Sequence, residues 1–315
     1  MIDAQQTLSG IRNNIRKVII GKDNVIDLML ISMVCSGHVL IEDMPGLGKT
    51  TLAAALASSL GCSFRRIQFT PDVLPSDITG FTMFNLKTGE QELHQGSIMN
   101  QIVLADEINR TSPKTQSALL EVMQENQVTI DGHTYPAPSP FMVLATQNPV
   151  ETAGTYPLPE AQLDRFFMRI SIGYPSMQDE MDILDRYCGE QKPMESVVPV
   201  CSSEDVIAMQ QEVKTVYCSK EVRAYIAAIC AATRSTPLLS LGASTRAAIA
   251  LIHAAQANAL LCGRDYIIPE DVQHRAPSVL CHRFVLSAEA RMRGYTGEQA
   301  FAELLANVRI PVKLK

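Results

Sequence analysis

Apolar residues are arranged in two textures along the chain, and the change comes near Gly173-Tyr-Pro175. Before it, short runs of β-favouring apolar residues at 39–41, 64–69, 102–105, 141–146 and 168–172 alternate with helix-compatible stretches. Strand-helix alternation of this kind predicts a parallel sheet covered by helices, an α/β core. After it the pattern is that of helices alone. Ser176 ahead of Asp179 and Glu180 is a helix start, and Ser202 with Asp205 resembles a capping box. Residues 243–262 form an alanine-rich amphipathic stretch closed by Gly263; Pro269-Glu-Asp271 opens another helix and Gly297-Glu298 a last one. The expectation is a core over residues 1–173 and a helical domain over 174–315.

The longest apolar stretch, residues 25–41, is interrupted by Asp27, Ser32, Ser36, Gly37 and His38. A bilayer span needs about 20 apolar residues. A helix ending near Cys35, a Ser-Gly turn and a buried strand account for the segment better. The polar start, Met1-Ile-Asp-Ala-Gln-Gln-Thr7, has neither the charged head nor the apolar core of a signal peptide. With 46% apolar and 19% charged residues, the 315-residue chain can bury a full core, in one large domain or two ordinary ones. A formal charge of −6 gives no sign of a polyanion-binding surface. Its eight cysteines contain no C-x-x-C pair and several lie in apolar helical runs. They are read as reduced, structural residues of a cytosolic protein.

Chemistry is concentrated after the 39–41 run. Asp43-Met-Pro-Gly-Leu-Gly-Lys-Thr-Thr51 separates that strand from a helix-compatible run stopped by Gly61. Strand, glycine-rich turn, Lys-Thr and helix make up a phosphate-binding loop. Its candidate nucleotide contacts are Pro45, Gly46, Leu47, Gly48, Lys49, Thr50 and Thr51. Gly46 and Gly48 let the backbone amides turn inward, and the helix start points its positive end at the anion. Lys49 would reach the outer phosphates and the Thr50 hydroxyl would hold Mg2+. The loop's usual first glycine is replaced by Asp43.

About fifty residues on, Gln101-Ile-Val-Leu-Ala-Asp-Glu107 is an apolar strand ending in two carboxylates. A strand beside the P-loop strand would bring its C-terminal end to the nucleotide. Asp106 would then hold Mg2+ through water, and Glu107, facing the other way, would polarise the attacking water. A solvated loop start is the bland alternative, which the P-loop upstream disfavours. The pair points to an ATPase rather than a kinase or GTPase, since no guanine-specificity motif or phosphoacceptor pocket is visible. A third apolar strand ends in Gln147-Asn148-Pro149, where Asn148 either contacts the γ-phosphate or simply forms a turn. Arg165, just before the last core strand, is either an ion-pair partner of Asp164 or an arginine finger for a neighbouring subunit.

These motifs, in this order, resemble the AAA+ ATPases and, more narrowly, the MoxR family. The narrow likeness rests on Glu42-Asp-Met-Pro-Gly-Leu-Gly-Lys-Thr50, Leu104-Ala-Asp-Glu-Ile-Asn-Arg110 and Pro113-Lys-Thr-Gln-Ser-Ala-Leu-Leu-Glu121. Ala145-Thr-Gln-Asn-Pro149, Gly154-Thr-Tyr-Pro-Leu-Pro-Glu-Ala-Gln-Leu-Asp-Arg-Phe166 and Gly242-Ala-Ser-Thr-Arg246 extend it. The likeness runs from Val18-Ile-Ile-Gly21 to Val279-Leu-Cys-His-Arg283. An acidic residue at the place of Asp43 is frequent in that family. Departures are Gln95-Gly96-Ser97 and Thr245, neither at a phosphate-contacting position.

The resemblance implies a P-loop αβα core with a parallel sheet followed by an all-helical lid. It makes Asn148 the sensor-1 residue, Arg165 an arginine finger acting in trans, and Arg246 the sensor-2 arginine, with a surface helix charge as the alternative for Arg246. Val18 to Gly21, with Ile20 and Gly21 as the candidate contacts, would lie near the adenine, held mostly through backbone and apolar contacts. Residues 70–100, too long for an ordinary connection, would be the insert in helix 2. The alternating stretch around Asp131-Gly132, about residues 127–136, would be the pre-sensor hairpin. The implied protein is an ATP- and Mg2+-dependent, hexameric, chaperone-like remodeller in the cytoplasm. Its clients would be proteins, von Willebrand factor A domain proteins among them, with no nucleic acid and no membrane insertion. Rival readings are a nucleic-acid motor and the ATPase subunit of a metal chelatase. The first is disfavoured because Asp72, Asp77, Glu90 and Glu92 face only Lys87 in the insert, whereas phosphate binding needs clustered Lys and Arg. A catalytically dead scaffold is disfavoured because every expected catalytic position is filled.

Overall fold

A computed structural model describes residues 3–150, 154–188 and 193–311. The outermost ends of both expected domains, residues 1–2 and 312–315, lie outside the described residues. Helices α1 (Ala4–Arg16) and α2 (Asp23–Val34) precede strand β1 (Val39–Glu42), and α3 (Lys49–Ser59) follows it. Then come β2 (Phe64–Gln68), α4 (Pro75–Thr79), the hairpin β3 (Gly80–Asn85) and β4 (Glu90–Gln95), β5 (Ile102–Asp106) and α5 (Pro113–Glu125). A second hairpin, β6 (Gln127–Ile130) and β7 (His133–Pro136), leads into β8 (Met142–Gln147), α6 (Glu160–Leu163) and β9 (Met168–Ile170).

β1, β2, β5, β8 and β9 form one sheet in the order β2-β5-β8-β1-β9, and each pairing within it is parallel. Both faces are covered, so the strands read as near-continuous apolar runs. Alternation shows in what each residue touches. Val39, Ile41, Leu104 and Leu144 pack with α1, α2, α3 and the C-terminal helices. Leu40, Val103, Ala105 and Val143 pack on the other side with α5 and the second hairpin.

The order corrects one expectation. β5, which carries Asp106, is not beside the P-loop strand β1, because β8 lies between them. The carboxylates therefore lie across an intervening strand from the P-loop strand.

The C-terminal helices are α7 (Met177–Tyr187), α8 (Ser203–Glu212), α9 (Lys220–Ser235), α10 (Thr245–Leu261), α11 (Pro269–Leu280), α12 (Ala288–Met292) and α13 (Gly297–Ala306). Ser176 and Ser202 each close a capping box with the aspartate three residues on, and Ser244 caps α10. One detail was not legible in the pattern: β10 (Leu239–Leu241) pairs antiparallel with β11 (Val285–Leu286) among the helices. At two and three residues these strands are too short for any periodicity to mark.

Between β2 and β5 the chain forms α4 and the β3–β4 hairpin, and the predicted Asp-Gly turn joins β6 to β7. Asp131, in that turn, accepts hydrogen bonds from the Thr82 backbone N–H and hydroxyl, which ties the two hairpins together. Among the described residues no helix is long and apolar enough to cross a membrane. All eight cysteines are free thiols.

Candidate active site

β1 is fully buried over Val39, Leu40 and Ile41 and delivers the chain to the loop at the C-terminal edge of the sheet. Gly46 and Gly48 have φ of 85° and 78°, the left-handed region that disfavours side chains. A Cβ at either would meet nothing within 4 Å, so these glycines serve the turn and leave open space above it. α3 starts directly at Lys49 with Gly48 as its N-cap and no side-chain cap, so its first amides are left for an external acceptor.

Asp43 explains its own presence. Its carboxylate is nearly buried and accepts from the Ser171 hydroxyl at 2.9 Å, the Gly173 N–H at 3.2 Å and the Ile172 N–H. A glycine here could not brace the segment where the chain leaves β9. The Asp43 carbonyl accepts from the Lys49 ammonium at 2.6 Å. Burial pushes the Lys49 pKa down, while the Asp43, Asp106 and Glu107 carboxylates pull it back up.

Pro45, Gly46, Gly48, Lys49, Thr50 and Thr51 line a cleft of about 340 Å³ with Asp106, Glu107 and Asn148. The structure thus brings together most of the residues singled out in the sequence. Thr146 on β8 donates to Asp106 Oδ1 at 2.6 Å and accepts the Glu107 N–H at 2.9 Å. Arg66 on β2 holds Asp106 Oδ2 at 2.7 Å. Glu107 sits at φ 57°, unusual for a non-glycine residue. Its Oε2 accepts from Gln68 at 2.7 Å and lies 3.2 Å from Arg110 Nε. Asn148 lines the cleft, and its Oδ1 accepts the Val150 N–H at 3.1 Å in a turn.

A second, more apolar cavity of about 320 Å³ continues from the same loop. Ile20, Val18, Leu47, Thr51, Pro175 and Tyr187 are among its walls, which suits a flat base held by apolar contacts. Gly21 does not line it. With φ 68° and a would-be Cβ only 2.3 Å from the Asp179 carboxyl group, Gly21 is required by packing against α7.

Arg165 and Arg246 are not in this group. They face a separate cavity of about 260 Å³ with Asp164, His38, His253 and Arg283, and no residue lining it lines the P-loop cleft. Topology explains the separation. Lys49, Asp106 and Asn148 follow the C-terminal ends of parallel strands, whereas Arg165 precedes β9 and His38 precedes β1. The two sets sit on opposite edges of one sheet, separated by the strand length, about 13 Å for four residues. Asp164 is not the ion-pair partner of Arg165; it pairs with Arg283 at 2.8 Å and lies 4.0 Å from Arg246.

Sequence reasoning missed Arg66, Gln68 and Thr146. Arg66 and Gln68 lie two residues apart on β2 and so share a face, a polar signal at the ligand edge of a strand. Thr146 offered no signal, being one hydroxyl in an apolar run.

Comparisons with known proteins agree with this geometry. The profile of the ATPase family associated with various cellular activities (AAA) matches residues 38–168, and that of the AAA lid domain matches residues 231–304. The chain is 51% identical to the uncharacterized protein YeaC of Bacillus subtilis over 300 residues, 95% of this chain and 93% of that one. It is 40% identical to the chaperone MoxR1 of Mycobacterium tuberculosis over 306 residues, 94% of this chain and 80% of that one. A solved structure from Cytophaga hutchinsonii, provisionally classed as an ATPase, superposes with a TM-score of 0.91 at 40% identity. It matches 98% of this chain and 96% of its own. With its P-loop, strand-end carboxylates and helical lid in their expected places, the chain belongs to the MoxR family of AAA+ ATPases.

Proposed function

We propose that this chain hydrolyses ATP with Mg2+ in a closed ring, six-membered in our reading, and uses the cycle to remodel partner proteins. The observation that carries the proposal is the placing of Arg165 and Arg246 on the sheet edge opposite their own Lys49. Arginines that stabilise a transferring phosphoryl group must touch its oxygens. From that edge they can do so only at the cleft of a neighbouring copy, which makes both trans-acting.

Within the cleft, Gly46, Leu47, Gly48 and Thr51 cradle the phosphates with backbone amides, and Lys49 neutralises their charge. Pro45 shapes the turn, and Ile20 supports the base. The oxygen donors Thr50 and Asp106 suit a hard cation, and the open space above Gly46 leaves room for a phosphate chain. Thr50 would hold the Mg2+ directly and Asp106 through water, the ion supplying charge neutralisation at the outer phosphates. Glu107 polarises the attacking water and takes its proton. Asn148 positions that water.

The residue 70–100 segment acts as the helix-2 insert and residues 127–136 as the pre-sensor hairpin, in a core spanning 1–173; residues 174–315 form the lid. The β3–β4 hairpin leaves Phe81, Met83, Phe84 and Leu86 exposed, with Glu90 and Glu92 on the facing strand. An apolar, acidic hairpin suits protein clients, von Willebrand factor A domains among them, better than nucleic acid. Cytoplasmic residence fits a soluble ring.

Glu107→Gln is expected to bind ATP and to turn over about 10²–10⁴-fold more slowly, the usual worth of general-base assistance. Arg165→Ala is expected to be inactive alone and to recover turnover when mixed with Glu107→Gln, because each variant supplies the half the other lacks. Normal turnover by Glu107→Gln would remove it from the mechanism, and no recovery on mixing would remove the trans assignment.

A further inference from the structure

We propose that Arg283 and His282, with Asp164 as their anchor, are positioning residues that aim Arg165 at the neighbouring site. This rests on the trans reading of Arg165 given above. Arg165 occupies a short loop between α6 and β9, and both of its flanking residues are held by the lid. On one flank, Asp164 Oδ1 accepts from Arg283 Nε at 2.8 Å and lies 3.4 Å from the Ser244 hydroxyl. On the other, the Phe166 carbonyl accepts from Arg283 Nη2 at 2.7 Å and from the His282 ring at 3.2 Å. Arg283 also donates to the Val279 carbonyl of α11. Between these clamps, Arg165 itself has no ion-pair partner among the described residues and faces the cavity.

The cost of this arrangement argues that it does more than hold the lid on. The Arg283 side chain is only 4% exposed, and Phe166 is fully buried. Burying a guanidinium is unfavourable unless its donors are matched, and here Arg283 spends them on the two residues either side of Arg165 and on α11. The three acceptors are met by three different nitrogens of a planar fork, a span that the point charge of an ammonium does not reproduce. Arg246 lies 4.0 Å from the same carboxylate. A movement of the lid therefore carries the Arg165 loop with it, so the lid state of one subunit sets the placement of the finger in the next subunit's site.

Steady-state ATPase assays on assembled full-length protein test this, using Asp164→Asn and Arg283→Lys. Asp164→Asn keeps the size of the anchor and loses its charge; Arg283→Lys keeps the cation and loses the fork. Each is expected to lower kcat at least 10-fold with KM for ATP little changed, the pattern of Arg165→Ala, and to lower the thermal midpoint while staying folded at the assay temperature. Each is also expected to regain turnover on mixing with Glu107→Gln, as Arg165→Ala does, because the variant's own P-loop half remains intact. A folded variant with wild-type kcat overturns the proposal. So does a loss that Glu107→Gln fails to restore while it does restore Arg165→Ala. If Arg165→Ala is itself fully active, the trans reading has fallen and the clamp falls with it.

Discussion

The two edges of the central sheet differ in charge as well as in position. At the C-terminal edge, Asp106 and Glu107 are each matched by donors from other elements, with Thr146 and Arg66 on the first and Gln68 and Arg110 on the second. Among the described residues lining the cavity at the opposite edge, Arg165, Arg246 and Arg283 accompany one carboxylate, Asp164. One edge is balanced before any phosphate arrives and the other holds a surplus of cations. A surplus unused within its own chain is what a site shared between copies needs, because phosphate oxygens are best stabilised by charges already fixed in place. On the proposed reading the chain carries two unlike half-sites, which neighbouring copies would complete.

The P-loop edge can be broken at Asp43, which ties the loop after β1 to the chain leaving the parallel neighbour β9. Asp43→Gly restores the glycine spacing usual for this loop, yet it strips acceptors from the Ile172 and Gly173 amides. The expected loss is about 1–3 kcal/mol of folding stability, chiefly from the buried Ile172 donor left unsatisfied, with the Gly173 donor part-buried. Urea denaturation would measure it, and an unchanged midpoint at unchanged slope would show that the brace is idle. A smaller effect should follow at the balanced edge. Thr146→Val is isosteric and removes only the hydroxyl between Asp106 and the Glu107 amide, so turnover should fall about 10–100-fold, as when a metal ligand loses its orienting partner. A Mg2+ titration of turnover would locate the loss, and a wild-type curve would mean that Asp106 needs no help from β8.

What could be read from the chain divides along the same line. The five strands, the P-loop and the acidic strand end were legible because each is written in consecutive residues. The neighbours of Asp106 were not, because β8 inserts between β1 and β5, and Thr146 lies 40 residues from Asp106 along the chain. Asp43 stood out as a missing glycine, but its reason lies 128 to 130 residues away, at Ser171 and Gly173. Ser244 and Asp164, 80 residues apart, meet only because the lid folds back on the loop after α6. Family likeness picked out Arg165 and Arg246 singly. That they share a cavity on the far edge follows from strand direction, which no local pattern records. The same holds for Arg283, which the motif Val279-Leu-Cys-His-Arg283 marked without indicating a partner.

The far edge can also be sharpened by pH. His38, just ahead of β1, is buried with both ring nitrogens engaged, one near the Met123 carbonyl at 3.0 Å and the other accepting the Val143 N–H at 3.0 Å. That second bond requires a neutral ring. Burial lowers its pKa from the ordinary 6.5 to about 4. Between those values the unfolded chain binds a proton that the folded chain refuses, so the stability His38 contributes is complete above about pH 6.5 and drains away as the pH falls toward 4. By about pH 5.5 the loss should reach about 1.4 kcal/mol, rising by 1.36 kcal/mol per further pH unit while the unfolded group is protonated and the folded one is not. His38→Gln, which cannot titrate, should flatten this part of the stability profile measured by denaturant unfolding from pH 8 to 5. The loop holding Arg165 hangs from the same residue, since the Phe167 N–H donates to the His38 carbonyl at 2.8 Å. Acid loosening should therefore reach the far edge before the P-loop edge. Amide exchange that opens the cleft around Lys49 at a higher pH than the loop around Arg165 would reverse that order and count against it.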